Sequence, residues 1–157
     1  MRGRERLETY LREQGVRYEV TPHAEAYTAQ EVAATEHVPG RQFAKVVIAE
    51  ADGKHVMLVL PASARVDLVR LRAALGAKVA RLAREEEFAA WFPDCEAGAM
   101  PPFGNLYDIP VYLDRSLADQ PRLVFNACSH RETVAISGED YRRLASPAMI
   151  EFAVPQK

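Results

Sequence analysis

Two apolar runs separated by a short turn constrain the fold of this chain more than any other feature. Residues 43–50 (FAKVVIAE) and 55–60 (HVMLVL) are rich in β-branched side chains, and Asp52-Gly53 lies between them. Such side chains pack well on a pleated surface, and an Asp-Gly pair readily adopts the backbone of a tight hairpin turn. The pattern predicts a buried β-hairpin in the core of a sheet.

Helix and strand signals alternate along the rest of the chain. Helices are predicted over residues 4–14 and 68–75, each followed by glycine, over 85–91, and after the capping residues Thr28 and Ser137. Strand-like runs cover residues 16–20, 109–114, 122–128, 132–137 and a final run, 149–154. Interleaved helices, strands and hairpins predict an α+β fold with a mixed sheet.

Length and composition predict one domain over residues 1–157, since the chain has 157 residues and 48% hydrophobic content. No run of about 20 apolar residues could cross a bilayer, so no membrane partner is expected. The charged N-terminus lacks an apolar segment, which favours the cytoplasm over secretion. Cys95 and Cys128 are too few for a disulfide framework and lack the spacing of zinc ligands, so neither a metal nor a cofactor is predicted.

Charge is nearly balanced, with a net charge of −2, so any contact with nucleic acid would have to be local. Positive charges are concentrated in residues 65–84, before the acidic triplet 85–87. They are Arg65, Arg70, Arg72, Lys78, Arg81 and Arg84. This run is either a solvated helix face or a surface for the phosphate backbone of a nucleic acid.

Lys45 is a charged residue inside the first run of the predicted hairpin. Alternation along a strand places it on one face with Phe43 and Val47. Its stem either extends to water along apolar neighbours, or its ammonium lines a cleft in which a compact positive charge is useful.

The stretch GAMPPFG, residues 98–104, combines two glycines with two adjacent prolines. Glycine permits a close backbone approach, while proline fixes its own φ and has no N–H, so the composition predicts a rigid loop with a few available donors. Such a loop can stabilise a developing oxyanion, or it can simply connect a helix to a strand. No Gly-Lys-Ser or Gly-Lys-Thr follows it, so it is not a P-loop.

The segment FNACSHRET, residues 125–133, holds a third set of polar side chains. Asn126, Cys128 and His130 would share one face if the strand continued through them. Two interpretations remain open: a Cys-His nucleophile, and a polar strand end that faces a pocket. His23, His37 and His55 show no metal-ligand spacing.

The order of these motifs resembles a known family. Lys45 on an early strand, the G-x-x-x-P-x-G loop, the following IPVYLD and the later NAxxHRET are similar to the YbaK/prolyl-tRNA-synthetase editing domains. The resemblance implies a largely antiparallel, curved sheet flanked by helices. It also implies a free-standing trans-editing enzyme, without a cofactor, that hydrolyses the ester of tRNA mischarged with a small amino acid. The acceptor end of aminoacyl-tRNA is the implied partner, with a synthetase as a further one.

The resemblance also assigns roles to residues. Lys45 would hold the 3′ end of the tRNA, while the backbone set by Gly98, Pro102 and Gly104 would polarise the ester carbonyl and position water or the terminal ribose hydroxyl. Relatives often carry glycine near position 128, where this chain has cysteine. The implied substrate-binding residues are His23, Tyr27, Ala99, Met100, Pro101, Asn126, Ala127 and His130, and the candidates for contacts with the tRNA backbone are Arg65, Arg70, Arg72, Arg81 and Arg84.

Two alternatives to this function stay open at the level of sequence. A chain of the same fold could bind a small ligand or tRNA without turnover. A thiol-dependent hydrolase that uses Cys128 is the second alternative. Asp114, at the end of IPVYLD, is expected to be structural and to turn the chain at a strand end.

Overall fold

The computed structural model of the chain describes residues 3–23, 26 and 28–156. Its helices are α1 (Gly3–Glu13), α2 (Ala29–Thr35), α3 (Leu68–Leu75), α4 (Glu85–Phe88) and α5 (Gly138–Ala145). Its strands are β1 (Glu19–Pro22), β2 (Ala44–Ala51), β3 (Lys54–Pro61), β4 (Ala64–Val66), β5 (Ala80–Leu82), β6 (Val111–Asp114), β7 (Arg122–Asn126), β8 (Glu132–Ser137), β9 (Ala148–Ile150) and β10 (Ala153–Pro155). Within these described ranges no helix has the length and apolar character needed to traverse a bilayer.

The strands form one large and two small sheets. The five-stranded sheet has the order β5-β2-β3-β6-β9, with antiparallel pairs at β5-β2 and β2-β3 and parallel pairs at β3-β6 and β6-β9. An antiparallel sheet of order β1-β8-β7 lies beside it, joined by a parallel bridge between Phe43 and Val124. Strands β4 and β10 pair separately. The predicted mixed sheet with flanking helices is confirmed.

The predicted hairpin forms the centre of the large sheet. Strands β2 and β3 pair from Ala44 opposite Pro61 to Ala51 opposite Lys54, and Asp52 and Gly53 both adopt positive φ at the turn. One face of the hairpin packs in a cluster with Leu7 and Leu11 of α1, and the other packs against α3 and Phe152. Because both faces are covered, the hairpin is buried, as its continuous apolar sequence requires.

Helix ends follow the capping residues that the sequence contains. The side-chain oxygens of Thr28, Asp67 and Ser137 each accept a hydrogen bond from the backbone N–H three residues later, at 3.0–3.1 Å. Gly76 ends α3 with a φ of 65°. These bonds satisfy donors that a helix start leaves unpaired, so the predicted helix starts are confirmed.

The final strand differs from the prediction, which was a single run over residues 149–154. The structure divides it into β9 and β10, which pair in different sheets. Asp114 causes the break, because its Oδ1 accepts hydrogen bonds from the N–H groups of Phe152 and Ala153, each at 2.9 Å. Those two N–H groups therefore cannot hydrogen-bond a neighbouring strand, and the strand is interrupted. Asp114 thus has the structural role expected of it.

Smaller differences occur at sheet edges. The strand expected over residues 16–20 begins only at Glu19, and the helix expected over 85–91 ends at Phe88 and continues as a 3₁₀ turn. Strands β4 and β5 were not predicted. Each has three residues, which is too short for an alternating pattern to be recognised.

Candidate active site

The GAMPPFG segment is a buried loop between the 3₁₀ turn at residues 89–91 and β6. Gly98 is exposed, whereas residues 99–104 are all buried. The Ala99 N–H donates to the Glu96 carbonyl at 3.0 Å, and the Phe103 N–H donates to the Pro101 carbonyl at 2.8 Å. The buried hydroxyl of Tyr141 donates to the Pro102 carbonyl at 2.8 Å, so a hydrogen bond joins α5 to the loop.

The two glycines of this loop are required for different reasons. Gly98 has a φ of 80°, a conformation that other residues adopt only at a cost, and an added Cβ there would meet only the imidazole of His130, at 3.7 Å. Gly104 is needed for close approach. A Cβ at Gly104 would collide with the Ile109 carbonyl oxygen and lie 2.6 Å from Cγ2 of Val111.

Three backbone N–H groups of the loop donate no hydrogen bond within the described residues. They belong to Gly98, Met100 and Gly104. Met100 is only 4% exposed, so its N–H is a buried donor, and such donors are paired in most proteins. Pro101 and Pro102 follow it and have no N–H, so Gly104 carries the next unpaired N–H of the loop.

His130 joins the loop to the segment that follows β7. Its Nε2 lies 2.7 Å from the Ala97 carbonyl oxygen, and its backbone N–H donates to the Glu96 carboxylate at 3.0 Å. Because a carbonyl only accepts, Nε2 carries the proton. The ring is 6% exposed, so it serves as a buried support next to Gly98.

Cys128 occupies a turn rather than a strand. Strand β7 ends at Asn126, and Cys128 has a φ of 68°, so Asn126, Cys128 and His130 do not alternate along one strand face as expected. The left-handed φ is the one that glycine adopts most easily.

The two cysteines form a disulfide, a pairing that sequence reasoning did not assign. Cys95 lies three residues before Gly98, and Cys128 lies at the turn after β7. The sulfur of Cys128 is bonded to Cys95, so it is not a free nucleophile in this structure. A thiol-dependent hydrolase needs a thiolate, which the disulfide does not provide.

Lys45 lies on β2, on the face shared with Val47. Burial lowers the pKa of its ammonium group from the ordinary value of 10.5. Phe43, two residues before Lys45, forms a parallel bridge with Val124, two residues before Asn126, so the start of β2 lies next to β7. Asn126 is 7% exposed, and its Oδ1 has no hydrogen-bond donor among the described residues.

The remaining predicted pocket residues are divided between the core and a polar cluster. Met100 and Ala127 pack in the main hydrophobic core, and Ala99 is fully buried. His23 is tied to the segment 130–131 by its backbone N–H, which donates to the Arg131 carbonyl at 2.8 Å. Tyr27 lies outside the described residues.

Sequence reasoning missed two buried polar residues beside His23. The Thr133 hydroxyl contacts both carboxylate oxygens of Glu36 at 2.7 and 2.8 Å, and His23 Nε2 lies 3.6 Å from Glu36 Oε2. A glutamate at the end of α2 and a threonine within the apolar run ETVAIS were the available signals. Thr133 pairs with Asn126 across β7 and β8, so this cluster lies next to Asn126.

The predicted basic surface is not uniform. Arg65, Arg70 and Arg72 are exposed on β4 and α3. In contrast, Arg81 hydrogen-bonds Glu87 at 2.8 Å and also pairs with Glu50. The hydrogen bond from Arg81 is the main cause that lowers the pKa of Glu87 to about 2. Arg84 lies within 3.9 Å of Glu86 and Glu87, so the free positive charge is concentrated on β4 and α3.

A family comparison connects this geometry to an activity. A sequence profile of the aminoacyl-tRNA editing domain matches residues 23–144. The chain belongs to the aminoacyl-tRNA editing domain family. It is therefore an aminoacyl-tRNA deacylase that acts on aminoacyl-tRNA, and the family resemblance drawn from the sequence is confirmed.

Individual relatives cover nearly the whole chain. The multifunctional Ser/Thr-tRNA deacylase ProXp-y of Escherichia coli (strain K12) is 27% identical over 153 residues, which are 94% of this chain and 91% of that protein. A crystal structure of a proposed trans-editing enzyme for prolyl-tRNA synthetase has a TM-score of 0.83 at 19% identity, covering 99% of this chain and 98% of the other. A crystal structure of a hypothetical protein has the same TM-score at 18% identity, covering 94% of this chain and 99% of the other. The structural likeness establishes the shared editing-domain fold.

Proposed function

We propose that this editing domain cleaves the ester of tRNA mischarged with a small amino acid, and that the 98–104 loop supplies the electrostatic stabilisation. The observation that carries the proposal is the buried N–H of Met100, which has no acceptor among the described residues. Together with the N–H of Gly98, it can donate to the carbonyl oxygen of the ester as negative charge develops. Removing one donor of this kind typically lowers kcat by about a hundredfold or more.

The loop is rigid before substrate arrives, which is what electrostatic stabilisation requires. Proline fixes the backbone at 101 and 102, Tyr141 holds the Pro102 carbonyl, and His130 holds the carbonyl of Ala97. Donors fixed in this way need no reorganisation during the reaction. Water or the terminal ribose hydroxyl would be the nucleophile, because an aminoacyl ester is labile enough for positioning and carbonyl polarisation to accelerate its hydrolysis.

Lys45 would supply the positive charge that holds the 3′ end of the tRNA. Its amine is partly buried on β2, so a phosphate there would be bound with less competition from water than at an exposed lysine. Arg65, Arg70 and Arg72 are exposed, and α3 packs on the same side of β2. They would contact the tRNA backbone.

The amino acid accepted is a finer question. Seryl and threonyl esters are the first substrates to test, because the E. coli relative is described as a Ser/Thr-tRNA deacylase. Small buried groups at Ala99, Pro101 and Pro102 favour a small side chain. A synthetase pocket distinguishes such side chains by only about 1–3 kcal/mol per methylene, so a second hydrolytic sieve has a physical purpose. We propose a cytoplasmic site of action and a synthetase as a docking partner.

The proposal is tested with purified protein and a panel of alanyl-, seryl-, threonyl-, prolyl- and cysteinyl-tRNAs. We expect at least one to be deacylated, and Lys45→Ala to lose most of that activity without unfolding. Lys54→Ala is the matched control, because Lys54 is an exposed lysine near the turn of the same hairpin and should tolerate replacement. If the whole panel survives micromolar protein, or if both lysine variants are equally active, the proposal is wrong.

A further inference from the structure

The Cys95–Cys128 disulfide joins the two segments that build the candidate active site. Cys95 lies in the approach to the 98–104 loop, and Cys128 lies between Asn126 and His130. Both residues border a cleft of about 1070 Å³ whose lining also includes Arg4 and Arg6 of α1. A small thiol can therefore reach the sulfurs from this cleft without unfolding the domain.

The other links between the two segments are hydrogen bonds. The Cys128 N–H donates to the Ala99 carbonyl and the Glu96 N–H donates to the Cys128 carbonyl, each at 2.9 Å. His130 adds its bonds to Ala97 and Glu96. The disulfide is thus the covalent link between two segments that are also joined by hydrogen bonds, each worth about 1 kcal/mol net.

We propose that Cys95 and Cys128 are a reversible thiol–disulfide pair whose oxidation state controls how firmly the 98–104 loop is held, and so controls hydrolysis. The control of hydrolysis rests on the proposed function of the loop, whereas the thiol chemistry does not. The co-reactants are a low-molecular-weight thiol and its disulfide, such as glutathione.

The exchange balances in two steps. A glutathione thiolate attacks the sulfur of Cys95, which is the less buried of the pair, and Cys128 leaves as a thiolate that takes a proton. A second glutathione thiolate attacks the mixed disulfide, releases Cys95 as a thiol and forms glutathione disulfide. One protein disulfide and two glutathione thiols thus give two protein thiols and one glutathione disulfide.

The Tyr107 hydroxyl lies close enough to both cysteine sulfurs to hydrogen-bond the thiols that reduction would release. Its hydroxyl lies 3.5 Å from the sulfur of Cys95 and 4.0 Å from that of Cys128. Arg6 stacks over its ring, with 4.8 Å between the guanidinium carbon and the ring centroid, and so fixes its position. A released thiol or thiolate would therefore find a hydrogen-bond partner in the Tyr107 hydroxyl.

Reduction should loosen the loop. Cys128 is held at a φ of 68°, which is unfavourable for a residue with a side chain, and reduction removes the bond that helps to hold it there. The donors at 98 and 100 would then be less well positioned, and misplacement of reacting groups is costly for catalysis. We expect the oxidised form to be the more active one.

The experiment equilibrates the full chain in buffers of varied glutathione to glutathione disulfide ratio and makes three measurements. Alkylation followed by mass spectrometry counts free thiols, amide hydrogen exchange follows residues 96–100, and aminoacyl-tRNA hydrolysis gives kcat/KM. We expect free thiols to rise from none to two across the series, with faster exchange at 96–100 and a several-fold loss of kcat/KM on reduction.

Two variants separate the disulfide from other effects. Cys95→Ser should exchange and hydrolyse like the reduced wild type in every buffer. Cys128→Gly also lacks the disulfide, but glycine accepts the φ of 68°, so it should regain part of the activity that Cys95→Ser loses. Both variants should be insensitive to the redox ratio.

The inference is overturned if both thiols stay free in the most oxidising buffer, or if the two forms have equal exchange rates and equal kcat/KM. If no aminoacyl-tRNA is hydrolysed by either form, the proposed function fails instead. The thiol counts and exchange rates would then still decide whether the cysteines hold the loop.

Discussion

The imidazole Nε2 of His130 donates a hydrogen bond to the carbonyl oxygen of Ala97, across 2.7 Å, immediately before the 98–104 loop begins. The residues are 33 positions apart in sequence, so the bond connects two separate segments of the site. The His130 side chain is buried, and its hydrogen bond holds the residue that precedes Gly98.

Replacement of His130 by alanine should therefore impair hydrolysis more than folding. We expect kcat/KM to fall by about tenfold or more because the donors at 98 and 100 lose their support, as misplacement of catalytic groups predicts. The loss of unfolding free energy should be about 1–2 kcal/mol, the cost of one unmade buried hydrogen bond. Deacylation kinetics and thermal unfolding measure the two effects.

His55→Ala is the matched control for this variant. His55 lies on β3 near Glu50 and Glu87, has no hydrogen bond, ion pair or ring contact with the described residues 98–104, and packs on Trp91 with 4.5 Å between ring centroids. It should lose some stability and keep its kcat/KM. Equal losses of activity in both histidine variants would contradict a positioning role for His130.

The two glycines of the loop should respond differently to alanine. At Gly98 an added Cβ has room, so Gly98→Ala should cost about 1 kcal/mol, the penalty of a left-handed φ. At Gly104 the Cβ would strike the backbone of Ile109, so Gly104→Ala should cost about 3 kcal/mol through overpacking. Denaturant unfolding of the two variants measures the difference, and similar midpoints would show that close approach at Gly104 is not a constraint.

Most of the fold could be predicted from local patterns. The hairpin of β2 and β3 has a continuous apolar sequence and an Asp-Gly turn, and helix starts at Thr28, Asp67 and Ser137 are encoded by side chains that bond the backbone three residues on. The division of the last strand could not be predicted, because Asp114 breaks it from 38 residues away in sequence. Long-range side-chain bonds leave no local pattern.

The arrangement of the candidate site could not be predicted from the sequence. The G-x-x-x-P-x-G loop and His130 were singled out from their residue types, and their roles stay predictions. Alternation suggested that Cys128 and His130 share a strand face, but Cys128 has a positive φ and the strand has already ended. A glycine at position 128 would have predicted such a turn, whereas a cysteine does not. The Cys95 pairing and the Glu36–Thr133 contact depend on tertiary structure, so sequence spacing could not reveal them.

The partly buried ammonium of Lys45 should make stability depend on pH at alkaline values. Burial lowers its pKa in the folded state, so between that lowered pKa and 10.5 the unfolded chain binds more protons than the folded one. Unfolding free energy must then rise with pH through this window, and the cost of burying the charge is fully present below it. Lys45→Met should be more stable than the wild type at neutral pH and should lose this alkaline rise.

Chemical denaturation at a series of pH values from neutral to alkaline tests this expectation, with Lys54→Met as the control. Lys54 is exposed, so its replacement should leave the alkaline rise intact. Deacylation by the wild type, after subtraction of the uncatalysed rate, should fall as Lys45 loses its proton, at a lower pH than for an ordinary lysine. A Lys45→Met variant with unchanged pH dependence of stability would show that the ammonium is well hydrated.

Arginines of the 65–84 run should differ in their contribution to tRNA binding. Arg70 and Arg72 are exposed on α3, so replacing either with glutamate should weaken binding and reduce the slope of log affinity against log salt by about one contact. Arg81 is engaged by Glu50 and Glu87, so Arg81→Ala should leave the salt slope unchanged. Filter binding of uncharged tRNA over a range of salt concentrations measures these slopes. Binding that is insensitive to salt, or that depends on Arg81 as strongly as on Arg70, would place the tRNA backbone elsewhere on the domain.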